Sequence, residues 1–259
     1  MLKISAVIIT YNEEDFIAQC LNSLVGIADE IVVVDSFSTD ATEEKCKKFN
    51  ARFIKHEFEG YKDQKNYAVG LATYENIISL DADEALSDEL RQSILAIKDN
   101  WNYSGYNVNR RNNFAGKWMQ HSEWYPNRQL RLFLREKGQF GKLNIHETFI
   151  MANGDPVGHL KGDLLHWPCS TREELVARMN KYAKIGAHEY RKTGRKSSIF
   201  TPYLHLIWGF VRSYILKGGF MDGPDGLFIC RIYAKSSYTK YKTLYNLNRK
   251  THSPAVSEQ

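Results

Sequence analysis

The chain has 259 residues, of which 43% are hydrophobic and 25% charged, and its net charge is +5. This composition is that of an ordinary globular protein and excludes disordered and fibrous classes. The charge is uneven: residues 1–170 hold 19 Lys and Arg against 24 Asp and Glu, whereas residues 171–259 hold 16 against 6 and 13 of the 33 aromatics. A basic, aromatic segment favours contact with phosphate-bearing surfaces, either anionic lipid or nucleic acid.

Four cysteines are scattered along the chain, and no two have metal-ligand or redox spacing. We therefore predict buried structural thiols and a reducing, cytoplasmic compartment. The N-terminal stretch MLKISAVIIT is interpreted as a first strand and not as an export signal, because its apolar run is short and is preceded by a single lysine.

Apolar β-branched runs alternate with helical patterns along the first 100 residues. Asn12, followed by three acidic residues, is the predicted N-cap of the first helix. Such alternation predicts a doubly wound α/β sheet, in which ligands bind at the carboxyl ends of the strands. The predicted strands cover 4–10, 30–35, 52–56 and 76–80. The predicted helices start near Asn12 and Ser87 and cover 40–49 and 61–72.

Beyond these elements, residues 104–167 read as extended pieces broken by Gly, Asn and Pro, which predicts an α+β extension. A helix is predicted over 171–192. Further helices are predicted over 198–247, with breaks at Pro202, Gly218–Gly219 and Gly223–Pro224.

The apolar run at 199–216 raises the question of membrane contact. It is only about as long as the shortest spanning helix, and Pro202, His205 and Arg212 interrupt it. We therefore expect a helix that lies at a membrane interface or packs on the domain, with a core helix as the alternative.

Three carboxylates, Asp81, Asp83 and Glu84, close the fourth predicted strand. Neighbouring like charges repel each other unless a positive group lies among them. Asp81 and Asp83 are two positions apart, so in extended backbone their side chains leave on one face. Two oxygen ligands there would suit Mg²⁺ or Mn²⁺, while the alternative is a solvated turn.

Four motifs in order, AVIITYNEED, IVVVDSFSTDAT, KDQKNYA and IISLDADE, resemble the nucleotide-sugar-binding half of the inverting family-2 glycosyltransferases with the GT-A fold. The later segments NNFAGKWM, EWYPNRQLRLF and IHE resemble a branch that adds sugars to the lipopolysaccharide inner core, in particular β-1,4-linked glucose to the first heptose. The resemblance implies a Rossmann-like mixed sheet with an α+β acceptor part and a helical C-terminal extension.

The resemblance also implies a UDP-sugar site along the strand ends. The residues implied to hold the uracil and ribose are Thr10, Tyr11, Asn12 and Glu13. Asp35 would accept hydrogen bonds from the uracil or ribose, and Asp81 would flank the ribose or the metal. Lys65, where the family often has an arginine, would supply positive charge to the base or diphosphate. The alternatives are helix capping by Asn12, packing by Tyr11, N-capping of the following helix by Asp35 and a solvated Lys65.

Metal and catalytic roles follow from the same resemblance. Asp83 would ligate a Mg²⁺ or Mn²⁺ ion that bridges both phosphates, and His166 would complete the metal shell. Glu147 would act as the base that takes the proton of the acceptor hydroxyl. A surface glutamate and a core histidine are the respective alternatives for Glu147 and His166.

Aromatic and basic residues cluster in GKWMQHSEWYPNRQLRLF. Aromatic faces stack on sugar rings, and arginine forks bind phosphate or carboxylate. The predicted acceptor-binding residues are Trp118, Trp124, Tyr125, Arg128 and Arg131. A buried aromatic core patch is the alternative.

Together these features predict a metal-dependent inverting glycosyltransferase that moves a sugar, by resemblance glucose, from a UDP-sugar to a lipid-linked inner-core heptose. Residues 1–100 would bind the nucleotide-sugar, 101–170 would bind the acceptor and carry catalysis, and 171–259 would make membrane-surface or packing contacts. We expect a peripheral protein at the inner face of the cytoplasmic membrane.

Three alternatives remain at this point. The acceptor could be a polyprenyl phosphate or another glycan, because the donor half is shared within the family. A nucleic-acid-binding protein would suit the basic segment, but no recognised nucleic-acid motif supports it. A non-catalytic scaffold is disfavoured because Asp81, Asp83 and Glu147 are all present.

Overall fold

The computed structural model describes residues 2–143, 146–169 and 171–250, except for the side chains of residues 142, 143, 146, 147, 153 and 250. The chain divides into two units. The first comprises the chain up to Asn112 together with Pro126–Pro168, and the second comprises Asn113–Tyr125 and the chain from Cys169 onward. Residues 113–125 therefore belong with the C-terminal helices, which no change in composition had indicated.

The first unit is built on a mixed sheet. Its parallel part has the order β3-β2-β1-β4, with bounds β1 (Ile4–Thr10), β2 (Glu30–Asp35), β3 (Arg52–Lys55) and β4 (Asn76–Asp81). The sheet continues beside β4 with β8 (Asn127–Leu134), β6 (Gly105–Phe114), β11 (Val157–His166) and β5 (Glu84–Leu86). β8 is antiparallel to both β4 and β6, and β11 is parallel to β6. The mixed α/β architecture predicted from the sequence is confirmed.

Two smaller strand pairs complete the β-structure. β9 (Gly138–Leu143) and β10 (His146–Met151) form an antiparallel pair, and β7 (Lys117–Trp118) pairs with the end of β6. The helices of the first unit are α1 (Ile17–Leu24), α2 (Thr42–Lys47), α3 (Tyr61–Gly70) and α4 (Asp88–Lys98). Ser87 caps α4 by accepting a hydrogen bond from the backbone N–H of Leu90.

The predicted start of the first helix is wrong. Asn12 has a left-handed φ of 51°, and α1 begins only at Ile17. The Asn12 side chain accepts a hydrogen bond from the backbone N–H of Thr39, 2.8 Å away, in the loop after β2. Asn12 thus ties two strand ends together, because a short amide side chain tolerates this conformation and can bond locally.

The side chains of β1 point alternately into two buried cores, one on each face of the sheet. Ala6 and Ile8 face a core that α1 and α4 cover, whereas Val7 faces a second core that includes Phe133 and Phe149. The rings of Phe133 and Phe149 stack at 3.6 Å between centroids. The continuous apolar run of β1 is thus that of a strand buried on both sides.

Gly162 interrupts β11 where its register with β6 shifts between His159 and Asp163. Its φ is +90°, and a Cβ at this position would collide with the backbone of Leu90. Only glycine fits both the backbone conformation and this close approach. The bulge precedes the last residues of β11, which include His166.

The second unit contains α5 (Arg172–Lys192), α6 (Thr201–Phe210), a π-helix at Val211–Leu216 and α7 (Gly223–Lys250). Pro202 lies in the first turn of α6 and does not break it, since the missing N–H is not needed there. The core of the second unit consists of Phe114, Met119, Trp124, Cys169, Leu175 and Ile229.

All four cysteines are buried and unbridged, as predicted. Within residues 2–143, 146–169 and 171–250, no helix has the length and apolarity needed to cross a bilayer.

Candidate active site

The parallel strands bring the predicted donor-site motifs to one edge of the sheet. Thr10 at the end of β1 is in register with Asp35 at the end of β2, and Ile9 is in register with Asp81 at the end of β4. Three polar positions from separate motifs thus converge. This is the edge where open α/β sheets bind their ligands.

Asp81 lies between two cations. Its Oδ1 is 2.8 Å from the Lys65 Nζ, and its Oδ2 is 2.9 Å from the Arg131 guanidinium. Arg131 also contacts Glu84 at 2.6 Å, and the other oxygen of Glu84 accepts a hydrogen bond from the backbone N–H of Asp81. Lys65 is only 2% exposed, so the alternative of a solvated lysine is excluded.

These contacts set the ionisation of the group. Burial alone would raise the pKa of Asp81, but the positive charges of Lys65 and Arg131 outweigh it and hold that pKa well below its ordinary value. Burial likewise opposes the charge on Arg131, and Glu84 and Asp81 outweigh it and raise the arginine pKa. Asp81 and Arg131 therefore both stay charged at neutral pH.

Arg131 does not have the predicted acceptor-binding position. It is buried, and its guanidinium is paired with Asp81 and Glu84 because antiparallel β8 is hydrogen-bonded beside β4. Glu84 was given no role from the sequence, although it stood in the quoted carboxylate cluster. The positive group expected among those carboxylates is thus supplied by the protein itself.

Asp83 is separated from Asp81 by a turn at Ala82 and Asp83, so the predicted extended backbone with both side chains on one face is not found. Asp83 instead faces His166, whose Nε2 is 3.4 Å from its Oδ2. The Nδ1 of His166 lies 2.6 Å from the Asn112 amide oxygen. Because an amide oxygen only accepts, Nδ1 carries the proton in a neutral ring and Nε2 presents a lone pair to the carboxylate.

The Nε2 lone pair of His166 and the Oδ2 of Asp83, 3.4 Å apart, repel each other unless a proton or a cation lies between them. An imidazole nitrogen and a carboxylate oxygen form a donor set that fits Mn²⁺ or Mg²⁺, and such ions take their remaining ligands from phosphates and water. Among the residues that the structure describes, no cluster of three or more His, Cys, Asp or Glu could hold a metal. The pair Asp83 and His166 would therefore need substrate oxygens to complete the shell.

The loops after β1 and β2 are bonded to each other. Asp35 is fully buried and accepts hydrogen bonds from both the backbone N–H and the hydroxyl of Ser38. The Ser38 Oγ in turn accepts from the backbone N–H of Asn12 at 2.8 Å, and the backbone N–H of Glu13 donates to the Thr42 hydroxyl. Asp35 does not cap the helix that follows, because α2 begins only at Thr42. Its carboxylate instead shapes the turn after β2.

Thr10 and Tyr11 differ from these neighbours. The Thr10 hydroxyl is buried and is left without a hydrogen-bond partner within the described part of the chain, while the Tyr11 side chain is exposed. A buried unpaired hydroxyl is costly unless a ligand or water satisfies it. This edge thus offers one hydroxyl and one aromatic ring to a bound molecule.

Several site residues were missed by sequence reasoning. Gln64, beside Lys65 on α3, bonds the Ser36 hydroxyl at 3.1 Å and the His56 ring at 2.9 Å. Trp167 donates its backbone N–H to the Asp83 carbonyl at 3.0 Å and stacks on Phe16. Gln64 lies in KDQKNYA and Trp167 directly follows His166, so adjacency to a predicted residue was the available signal.

The predicted acceptor residues fall in different environments. Trp124 is buried edge-on against Phe114 in the core of the second unit, which matches the alternative of a core patch. Trp118 and Tyr125 are half-buried in the same unit, and Arg128 is exposed on β8 of the first unit.

Glu147 lies on β10, opposite Lys142. Its side chain is outside the part of the chain that the structure describes. Its role as the base stays a prediction.

Comparison with known proteins identifies the family. The model of "Glycosyl transferase family 2" matches residues 5–161. An uncharacterized glycosyltransferase of Rickettsia typhi is 30% identical over 270 residues, covering 100% of this chain and 92% of that protein. The lipopolysaccharide core biosynthesis glycosyltransferase LpsC of Rhizobium meliloti is 30% identical over 256 residues, covering 93% of each.

Among solved structures, residues 1–349 of S. aureus TarS in complex with UDP-GlcNAc align with a TM-score of 0.48 at 17% identity, covering 96% of this chain and 92% of that one. The family model spans more than half of this chain, and the relatives align over nearly all of it. The motifs at the strand ends and the sequence relatives lead to one conclusion: this chain belongs to glycosyl transferase family 2.

Proposed function

We propose that this family member transfers glucose from UDP-glucose, with inversion, to a heptose of the lipopolysaccharide inner core. The observation that carries the proposal is the convergence of Thr10, Asp81 and the pair Asp83 and His166 at the carboxyl edge of the sheet. The similarity to LpsC supports an acceptor in the lipopolysaccharide core.

On this proposal the donor binds along the strand ends. Tyr11 stacks on the uracil, the Thr10 hydroxyl bonds the nucleoside, and Asn12, Glu13 and Asp35 shape the loops around it. Lys65 and Arg131 hold Asp81 ionised, so that it can accept hydrogen bonds from the ribose hydroxyls.

Asp83 and His166 would hold Mg²⁺ or Mn²⁺, which supplies Lewis-acid stabilisation of the diphosphate charge. Glu147 takes the proton of the acceptor hydroxyl as that oxygen attacks the anomeric carbon. The bond from the anomeric carbon to the diphosphate oxygen breaks, and UDP leaves with the electron pair. Attack opposite the leaving group inverts the anomeric centre.

The acceptor would be lipid-linked and would be met at the inner surface of the cytoplasmic membrane, with the protein bound peripherally. Trp118 and Tyr125 would contact sugar rings, and Arg128 would bind a phosphate or carboxylate of the acceptor. We do not assign acceptor binding to Arg131 and Trp124, because both side chains are buried among protein groups.

Calorimetric titration tests the donor assignment. UDP-glucose, UDP-galactose and UDP-N-acetylglucosamine are compared with and without Mn²⁺, on the native chain and on Asp83→Asn. We expect UDP-glucose to bind most tightly and its metal dependence to vanish in the variant. Equal, metal-independent binding of all three would contradict the proposal.

Acceptor profiling then separates the alternatives. Heptose-containing core acceptors should be glucosylated by the native chain and not by Glu147→Gln. Transfer to a polyprenyl phosphate instead would move the assignment to the alternative acceptor.

A further inference from the structure

The second unit carries an apolar face that no described residue covers. From Phe200, the N-cap of α6, to the end of the π-helix, large side chains are exposed at successive turns, including 73% of Phe200 and 64% of Leu216. We call this face the apolar stripe and define it by Phe200, Tyr203, Leu204, Ile207, Trp208 and Leu216. Its spacing follows the helical repeat, so the residues line one side of the helix.

The opposite side of the same helices is fixed to α7 within the second unit. A Cβ at Gly209 would lie 3.6 Å from the Ala234 Cα, and the Ser213 hydroxyl contacts the Cys230 sulfur at 3.2 Å. The ring of His205 stacks on Tyr241 at 3.8 Å. The helix therefore has one packed side and one bare apolar side, held in place by the fold.

The segment that carries the stripe has an excess of positive charge. Arg212 and Lys217 share one acidic partner, Glu123, and Lys192 pairs with Glu189. Between Glu189 and Asp222 the sequence contains six Lys and Arg and no acidic residue. Four of the six stand in RKTGRK at 191–196, directly before the stripe. Arg191 and Lys196 are exposed.

An apolar face beside an excess of positive charge complements a lipid surface whose headgroups are anionic and whose interior is apolar. Trp and Tyr, both present in the stripe, are the side chains that prefer the level of lipid headgroups.

We propose that the apolar stripe inserts into one leaflet of an anionic lipid bilayer, with α6 lying parallel to the membrane surface and RKTGRK on the headgroups. This proposal deepens the proposed function, since it names the surface through which the enzyme would meet a lipid-linked acceptor. The helix lies on the membrane and does not cross it, in agreement with its length.

Vesicle co-sedimentation of the full chain tests the proposal without any donor or acceptor. Vesicles of phosphatidylcholine with phosphatidylglycerol should bind the native chain, and phosphatidylcholine alone should bind it at least tenfold more weakly. Leu204→Asp with Ile207→Asp should abolish binding. Val25→Asp is the matched control, because Val25 is 54% exposed in the first unit, against 63% for Ile207, and it should bind like the native chain.

Charge is tested separately. Arg191→Gln with Lys196→Gln should weaken binding by about fivefold for each charge removed. Lys47→Gln with Lys48→Gln, an exposed pair on the first unit, should have no effect. Equal weakening by both pairs would overturn the assignment of this surface.

Fluorescence quenching tests insertion of the stripe without relying on the Asp variants, which could fail to fold. Brominated lipid should quench the tryptophan fluorescence of the native chain, and Trp208→Phe should remove most of that quenching. Absence of quenching in the native chain, or unchanged quenching in the variant, would overturn the proposal.

Sedimentation velocity without lipid addresses a second copy as the occupant. A dimer that Leu204→Asp with Ile207→Asp dissociates would overturn the proposal in favour of self-association. UDP-glucose titration of the same variants separates the two proposals, because donor binding uses the first unit and should stay unchanged.

Discussion

The Nζ of Lys65 lies 2.8 Å from Oδ1 of Asp81, although the lysine is buried and comes from a helix that precedes the strand. Without Lys65, the carboxylates of Asp81 and Glu84 would share Arg131, and breaking a buried ion pair costs about 3–5 kcal/mol. We therefore expect Lys65→Met to lower the free energy of unfolding by about 3 kcal/mol, measured by urea denaturation.

Lys62→Met on the same helix is the control. Lys62 pairs with Asp63 at the surface, and such pairs contribute about 0–1 kcal/mol. A loss of less than 1 kcal/mol in Lys65→Met would contradict the importance of the buried pair.

The lowered pKa of Asp81 predicts a pH dependence of stability. A carboxylate whose pKa is lower in the folded than in the unfolded state stabilises the fold above its ordinary pKa, 3.8 for Asp81. That contribution disappears as the pH falls below this value. The difference in unfolding free energy between the native chain and Asp81→Asn should therefore be constant from neutral pH down to about 4 and then shrink.

Unfolding curves recorded between neutral pH and about 2 measure this difference. Asp15→Asn, at an exposed position, should stay within about 0.5 kcal/mol of the native chain throughout. A native-minus-Asp81→Asn difference that grows on acidification would be inconsistent with the ion pairs seen here.

Asn112 fixes the ring of His166 through a 2.6 Å hydrogen bond and should act as a positioning residue. Groups that orient a metal-binding histidine typically change metal affinity by about 10–100-fold. We expect Asn112→Leu to lower about tenfold the ratio of the UDP affinity with Mn²⁺ to that without it, measured by calorimetry. Binding of UDP in EDTA should not change.

Asn107→Leu on the same strand serves as the comparison and should leave both values unchanged. If Asn112→Leu lowered UDP binding equally with and without Mn²⁺, its role would be structural only.

Gly162 is required by the bulge in β11. Gly162→Ala places a methyl group against the backbone of Leu90 at a φ of +90°, so we expect a loss of about 2–4 kcal/mol in unfolding free energy. Gly70→Ala at the end of α3 meets nothing within 4 Å and should be neutral or stabilise by up to about 1 kcal/mol. Thermal or urea unfolding of both variants measures the contrast.

Substitutions of Trp118 and Trp124 should affect different measured quantities, the acceptor KM and the stability respectively. Trp124→Ala removes a buried ring that packs on Phe114, and it should cost about 3–5 kcal/mol of stability. Trp118→Ala, at a half-buried position, should change stability by less than about 1 kcal/mol and instead raise the KM for the acceptor. An unchanged KM would remove Trp118 from the acceptor site.

The sheet was predictable because its strands are β-branched runs buried on both faces, and burial dictates those residues directly. The strand-end motifs followed from topology, since parallel strands end at one edge. The partner of Asp81 was not predictable: Arg131 reaches it through the antiparallel pairing of β8 with β4, and no local pattern reports the register of segments about 50 residues apart. The three acidic residues after Asn12 suggested a helix start, but the bonds to Ser38 and Thr39 hold this loop in another conformation.

The pairing of β4 with β8 has a consequence for how this protein could be divided or recombined. A fragment ending near residue 100 would contain every recognised donor motif, yet it would lack the guanidinium that balances Asp81 and Glu84 and would expose the edge of β4. The nucleotide-sugar half is thus not a separable module. Exchanging acceptor specificity between relatives would require keeping β8 with the donor half, and the useful crossover points lie after Leu134.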